Sequence, residues 1–237
     1  MTQSRSEAQI AVGNNADLCA AILGAHGIRF KRDLSILLSV DDPPDYYPKL
    51  VTLEPNSVAQ QMMLIQEVVE AGQPVTAIKD SFATLDYAAL NMAVLFEASW
   101  IWHDGGHEEK PDAWRRVSEA TDLSIWHRAW CAAGSPTEQV IFPASSLDDP
   151  SLVFLARGSG ATIEAGCIAN LSDSVTGLSN VFTVHEDSDV FAQAKQAVSA
   201  ISPGTPVVGY ESGQGLATAR SVGFREVGKL RVLAQQN

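Results

Sequence analysis

Apolar positions recur with the period of a helix in two distant parts of the chain. After Asn56 and Ser57, a suitable N-cap pair, the residues Val58, Met62, Ile65 and Val69 advance by steps of 4, 3 and 4 and share one face. Gly72, Pro74 and Val75 then provide a helix stop and a strand entry. Adding 132 to each number gives Val190, Ala194, Ala197 and Ile201, then Gly204, Pro206 and Val207, and it carries Gln61 onto Gln193. The flanks keep the same offset. β-like runs at 49–53 and 181–184 precede the two helices, and strands at 74–78 and 206–210 follow them. A second short helix is expected to end near 90–92 and near 222–224, before closing strands around 94–96 and 226–230. Each half reads β-α-β-α-β, so the fold class is α/β, with helices covering a mixed sheet.

Between the halves, Asp112 is placed to cap a helix holding Trp114 and Val117, and Asp122 another that runs through Ala132 to a stop at Gly134. Residues 151–156 read as a strand, 157–160 as a hairpin turn and 161–169 as the partner strand. The polar, Gly-containing stretch 103–110 reads as a linker.

Charge narrows the function. The 237 residues carry 28 acidic and 16 basic side chains, a net charge of −12, which argues against nucleic acid or an anionic membrane as partner. With 46% hydrophobic residues the chain is globular and not a disordered acidic tail. Cys19, Cys131 and Cys167 lie far apart in apolar contexts and read as buried reduced thiols. Residues 1–16 are polar and lack the apolar centre of a signal peptide, and no run approaches 18 apolar residues, so a cytoplasmic protein is expected. His103 and His107 are four apart, but two glycines between them disfavour the helix a metal pair would need, and no metal is expected. Trp100, Trp102, Trp114, Trp126 and Trp130 read as a core seam between the halves, or as one wall of an aromatic pocket.

The order helix, helix, β-hairpin, β-α-β-α-β resembles the GNAT (Gcn5-related N-acyltransferase) superfamily. The resemblance rests on Ala165-Gly166-Cys167-Ile168-Ala169-Asn170, on Gly177-Leu178-Ser179-Asn180-Val181-Phe182, and on Gly223-Phe224-Arg225-Glu226-Val227-Gly228. It implies a GNAT-like domain over 111–237 and a truncated tandem unit over 15–102, whose leading helices are compressed into 17–40. It further implies an N-acyltransferase that acts on the amine of a small molecule or peptide with acetyl-CoA or another acyl-CoA, which would lie along Val181, Phe182, Thr183 and Val184 where two parallel strands splay. The family's glycine-rich diphosphate loop has no counterpart here. Residues 184–189 hold no glycine or arginine but three carboxylates, Glu186, Asp187 and Asp189, and Glu54-Pro55-Asn56-Ser57 also lacks glycine. The family's tyrosine acid falls on Ala219 in the second half and on Tyr87 in the first. Glu211, after the strand at 206–210, and Asp80, after its counterpart, are the candidate bases. The alternative is a non-catalytic GNAT-fold ligand-binding or interaction module. The partner expected is a small molecule, with a homodimer left open.

Overall fold

The computed structural model describes residues 5–72, 75–158 and 162–235. Pro74 and part of the 157–160 turn therefore lie outside the described residues. The chain opens with helix α1 (Glu7–Ala25), where Ser6 and Gln9 form a reciprocal capping box. In place of leading helices compressed into 17–40, one helix begins ten residues earlier, and residues 30–39 form a hairpin of β1 (Phe30–Arg32) and β2 (Ile36–Ser39). The stripe of α1, Ala11, Asn14, Leu18 and Ile22, contains an alanine and a buried asparagine, and this dilutes the apolar period. Asn14 is satisfied by a partner far away: its Nδ2 donates to the Asn170 carbonyl at 3.0 Å, and Asn170 Nδ2 returns a bond to the Asn14 carbonyl at 2.6 Å.

Strand β3 (Leu50–Thr52), helix α2 (Val58–Glu70), strand β4 (Ala77–Asp80) and the long β5 (Met92–His103) complete the first half. The second contains β6 (Trp114–Arg116), α3 (Ala120–Ala132), β7 (Leu152–Arg157), β8 (Ala165–Leu171), β9 (Thr176–Thr183), α4 (Val190–Ser199), β10 (Val207–Glu211), α5 (Gly213–Ser221) and β11 (Arg225–Gln235). The described strands form one sheet in the order β1-β2-β3-β4-β11-β5-β10-β9-β8-β7-β6. The last strand of the chain thus sits between β4 and β5 and pairs antiparallel with both.

The 132-residue offset reappears in the backbone. Helices α2 and α4 start at Val58 and Val190, and they are followed by Gly72 at φ 75° and Gly204 at φ 79°, the left-handed conformation open to glycine. Asn91 at φ 53° occupies the place of Gly223 at φ 96°, each just ahead of a long strand. Asparagine tolerates that region better than most residues.

Two expected helices are absent. Residues 81–91 form turns, because the Asp80 carboxylate takes the amides of Thr84 and Leu85 that a helix would use locally. Trp114 lies not in a helix but on the edge strand β6, pairing with Arg157, and its indole is fully buried. The next helix is capped at Glu119, so Asp122 falls in its first turn and pairs with Arg115 at 2.7 Å.

The two faces of the sheet are covered differently. Phe191, Ala194 and Val198 of α4 and Ala219 of α5 pack with Val207 and Phe224 on one face. Ile65 of α2 packs with Ile78 and Leu233 on that same face, since Lys79, the next residue after Ile78, reaches α1 on the other. Helices α1 and α3 cover the second face, where Trp126 meets Phe142, Phe154 and Phe182 edge-on at 4.9–5.3 Å. All five tryptophans are buried. Cys19 and Cys167 are buried free thiols, and Cys131 is half-buried.

Candidate active site

The site follows from where strand pairing stops. Strands β9 and β10 are parallel but pair only at Thr176–Val207 and Gly177–Val208. Beyond that point β9 stays with β8 as far as Thr183–Ala165, while β10 stays with β5 as far as Glu211–Ser99. The two strands must therefore part. A bulge helps: the β8–β9 register slips between Gly166 and Ile168, and Asn180 within it sits at φ 52°. Gly209 lacks a side chain where the Leu178 carbonyl approaches; a Cβ there would lie 2.6 Å from that oxygen.

The corresponding junction of the first half is stitched shut. The Ser81 amide donates to Thr52 Oγ1 at 2.8 Å, and Trp100 Nε1 donates to the Ser81 carbonyl at 2.8 Å.

A cavity of about 530 Å³ occupies the β9–β10 gap and extends beneath α1 to β4. Its walls include Asn15 and Cys19 of α1, Tyr47, Lys79, Trp130, the 177–181 stretch of β9, and Tyr210 and Glu211 of β10. Trp130 is thus both a core residue and part of the cavity wall.

Each candidate residue has a definite place. Glu211 lines the cavity at the end of β10, against the first turn of α5, where Gly215 leaves room for its carboxylate. Burial pushes its pKa up to about 7, and no side-chain hydrogen bond or cation holds the charged form among the described residues. Val181 lines the cavity, whereas the Phe182 ring packs against Trp126 on the α1–α3 face. Thr183 Oγ1 donates to the His185 carbonyl at 2.8 Å, and Val184 is exposed.

Asp80 and Tyr87 lie apart from the cavity walls. Asp80 is 0% exposed, accepts two amides at 3.0–3.1 Å and pairs with Arg231 at 2.9 Å. The Arg231 guanidinium lies 4.7 Å from the Tyr87 ring centroid. Both candidates thus join one arginine-centred cluster, and Tyr87 stands in a turn instead of the expected helix.

The helix end where the resemblance would seat a diphosphate carries its own anion. Asp187 accepts the Asp189 amide at 2.9 Å and pairs with Arg157 at 2.6 Å; the amide bond and the guanidinium together hold its carboxyl below the usual range. Gln193 Oε1 takes a second bond from Arg157 at 2.8 Å. Among the described residues the one arginine bonded to this loop is already neutralised, and two further carboxylates flank it. An acyl-CoA diphosphate does not fit this helix end.

Lys79 and Tyr210 carried no signal in the sequence beyond a lone lysine and tyrosine in apolar strands. The structure joins them: Lys79 Nζ is 4.7 Å from the Tyr210 ring centroid and donates to Asn15 Oδ1 at 2.7 Å.

No family model matches this sequence, and no curated protein matches it. Solved structures do resemble it in fold. A GCN5-related N-acetyltransferase from Kribbella flavida is similar over 99% of this chain and 97% of its own, with a TM-score of 0.67 at 13% identity. A functionally unknown conserved protein from Staphylococcus epidermidis is similar over 89% and 95%, with a TM-score of 0.64 at 11% identity. A GCN5-related N-acetyltransferase from Sphaerobacter thermophilus is similar over 97% and 93%, with a TM-score of 0.53 at 11% identity. The fold is therefore that of the GNAT acetyltransferases, over nearly the whole chain. Among the described residues no helix is long and apolar enough to cross a membrane.

Proposed function

We propose that the chain is a GNAT-fold N-acyltransferase acting on the amine of a small molecule, with Glu211 as its general base. The observation that carries this reading is the Glu211 carboxyl, half-buried at the mouth of the β9–β10 gap with its pKa pushed up to about 7. An amine is a nucleophile only after losing a proton. A carboxylate that titrates near neutral pH in a partly dry cavity can accept that proton, directly or through one water. The parted strands leave a slot for the acyl-bearing end of a donor, beyond the point where Gly209 lets the two backbones approach.

An acyl-CoA would be bound through its acyl and thiol-bearing arm, because the α4 end offers its diphosphate no cation. The second reading, a non-catalytic GNAT-fold binding module, is favoured by the Asp187–Arg157 pair. Calorimetric titration with acetyl-CoA and longer acyl-CoAs separates the two. Saturable micromolar binding, followed by acylation of an amine panel that fails in Glu211→Gln, supports the enzyme. No binding at millimolar donor, together with no transfer, leaves the module.

A further inference from the structure

We propose that the cavity binds a ligand carrying an anionic group, carboxylate or phosphate, which Lys79 receives. With the amine of the proposed reaction beside Glu211, the substrate class becomes an amine that also bears an acid. The amine rests on the reading above, whereas the anion site stands without it.

Charged side chains are sparse in the cavity wall. Among its walls Lys79 is the only cationic side chain and Glu211 the only acidic one, in a chain whose net charge is −12. The two come from opposite halves of the sequence, on β4 and β10, and no ion pair within 4 Å joins Lys79 to any carboxylate among the described residues. An acidic protein has many carboxylates to spare, and the other mostly buried lysines use them: Lys49 with Asp42 at 3.6 Å and Lys195 with Glu108 at 2.7 Å. Lys79, 5% exposed, has among the described residues only neutral neighbours: the Asn15 side-chain oxygen, the Tyr210 ring and phenol, and the Cys19 thiol.

Burying an ammonium without a counter-charge is costly. Burial alone would lower its pKa, but the Tyr210 phenol and the Cys19 thiol beside it bring the net shift upward, so the group stays charged. Asn15 and Tyr210 lie against the ammonium, and Lys79 is itself part of the cavity wall. An ammonium of this kind is a point charge suited to a carboxylate or phosphate oxygen. No ion pair joins Lys79 to Glu211 among the described residues, so a ligand spanning the gap from one to the other would carry opposite charges at its two ends.

The test uses the purified full-length chain with no acyl donor. Binding is measured by calorimetry and thermal shift for ω-amino carboxylates from glycine to 6-aminohexanoate, and for aminoalkyl phosphates of the same lengths, each against the alkylamine of equal length. At least one anionic member is expected to bind about tenfold or more tightly than its alkylamine. That advantage is expected to vanish in Lys79→Met and to persist within a few-fold in Lys79→Arg. The carboxylate and phosphate arms show which anion is taken. Equal binding of alkylamines, no binding by any member, or undiminished preference in Lys79→Met would overturn the proposal. If Lys79→Met shows no cooperative melting, the wild-type pairs decide alone. Acylation of alkylamines as fast as of their acidic counterparts would sink this inference and leave the acyltransferase reading standing; anion-dependent binding without any transfer would do the reverse.

Discussion

Arg231 on the last strand donates from Nε to Asp80 Oδ2 at 2.9 Å, across 151 residues of sequence. The bond lies on a strand pair, since Arg231 is also the register partner of Asp80 in the β4–β11 ladder. The same guanidinium bonds the Leu85 carbonyl and covers Tyr87, so one side chain closes the turn that follows β4. Asp80 in turn ties down two amides of that turn.

Removing the carboxylate should therefore unsettle the sheet. Asp80→Ala leaves a mostly buried guanidinium unpaired and two amides without their acceptor, and should cost about 3–5 kcal/mol. In a chain of this size that is a melting point lowered by roughly 10 °C, measurable by calorimetry or circular dichroism. Well below its midpoint the variant should still bind cavity ligands as the wild type does.

Glu211 makes stability depend on pH in a definite direction. Its folded pKa of about 7 lies above the ordinary 4.5, so the neutral form is favoured on folding. The associated stability is whole below about pH 4.5 and is lost as pH rises through 7. Glu211→Gln should match the wild type at pH 4 and be more stable by about 2 kcal/mol at pH 8, a value reduced from the full shift because the carboxylate is partly wet. Denaturant unfolding at the two pH values reads this out. Acyl transfer by the wild type should climb with pH through an inflection near 7.

Asp187 should govern the response to diphosphates. Asp187→Ala frees Arg157 and the Asp189 amide at the start of α4. Titration of the variant with acetyl-CoA should show binding about tenfold tighter than the wild type. The gain should fade as salt is raised, because the helix end is close to solvent.

Gly166 marks a second kind of constraint. A Cβ at this position would collide with the Trp126 indole nitrogen and lie 2.6 Å from Phe182. That nitrogen donates to the Leu155 carbonyl at 2.9 Å, so the indole has little room to retreat. Gly166→Ala should lower stability by about 1–3 kcal/mol, read by chemical denaturation with tryptophan fluorescence.

What the residues reveal unaided is local. The stripes of α2 and α4, their left-handed glycine stops and the strands that follow depend on neighbours three or four positions away, and these were legible at the 132-residue offset. Glu211 was legible as well, as the carboxylate just after the strand expected at 206–210. Helix α1 was not, because its stripe includes Asn14, whose partner Asn170 is 156 residues distant. Trp114 read as helical because an edge strand of three residues is too short to show alternation.

Only the tertiary structure decided that β11 enters between β4 and β5, that the first splay is stitched while the second stands open, and that Lys79 meets Tyr210. It also decided which candidate carboxylate is satisfied, Asp80, and which is left to titrate near neutrality, Glu211. Helical period and turn chemistry are written into adjacent residues. Strand pairing, desolvation and the partner of a buried charge come from groups far away in the chain, and they exist only once it has folded.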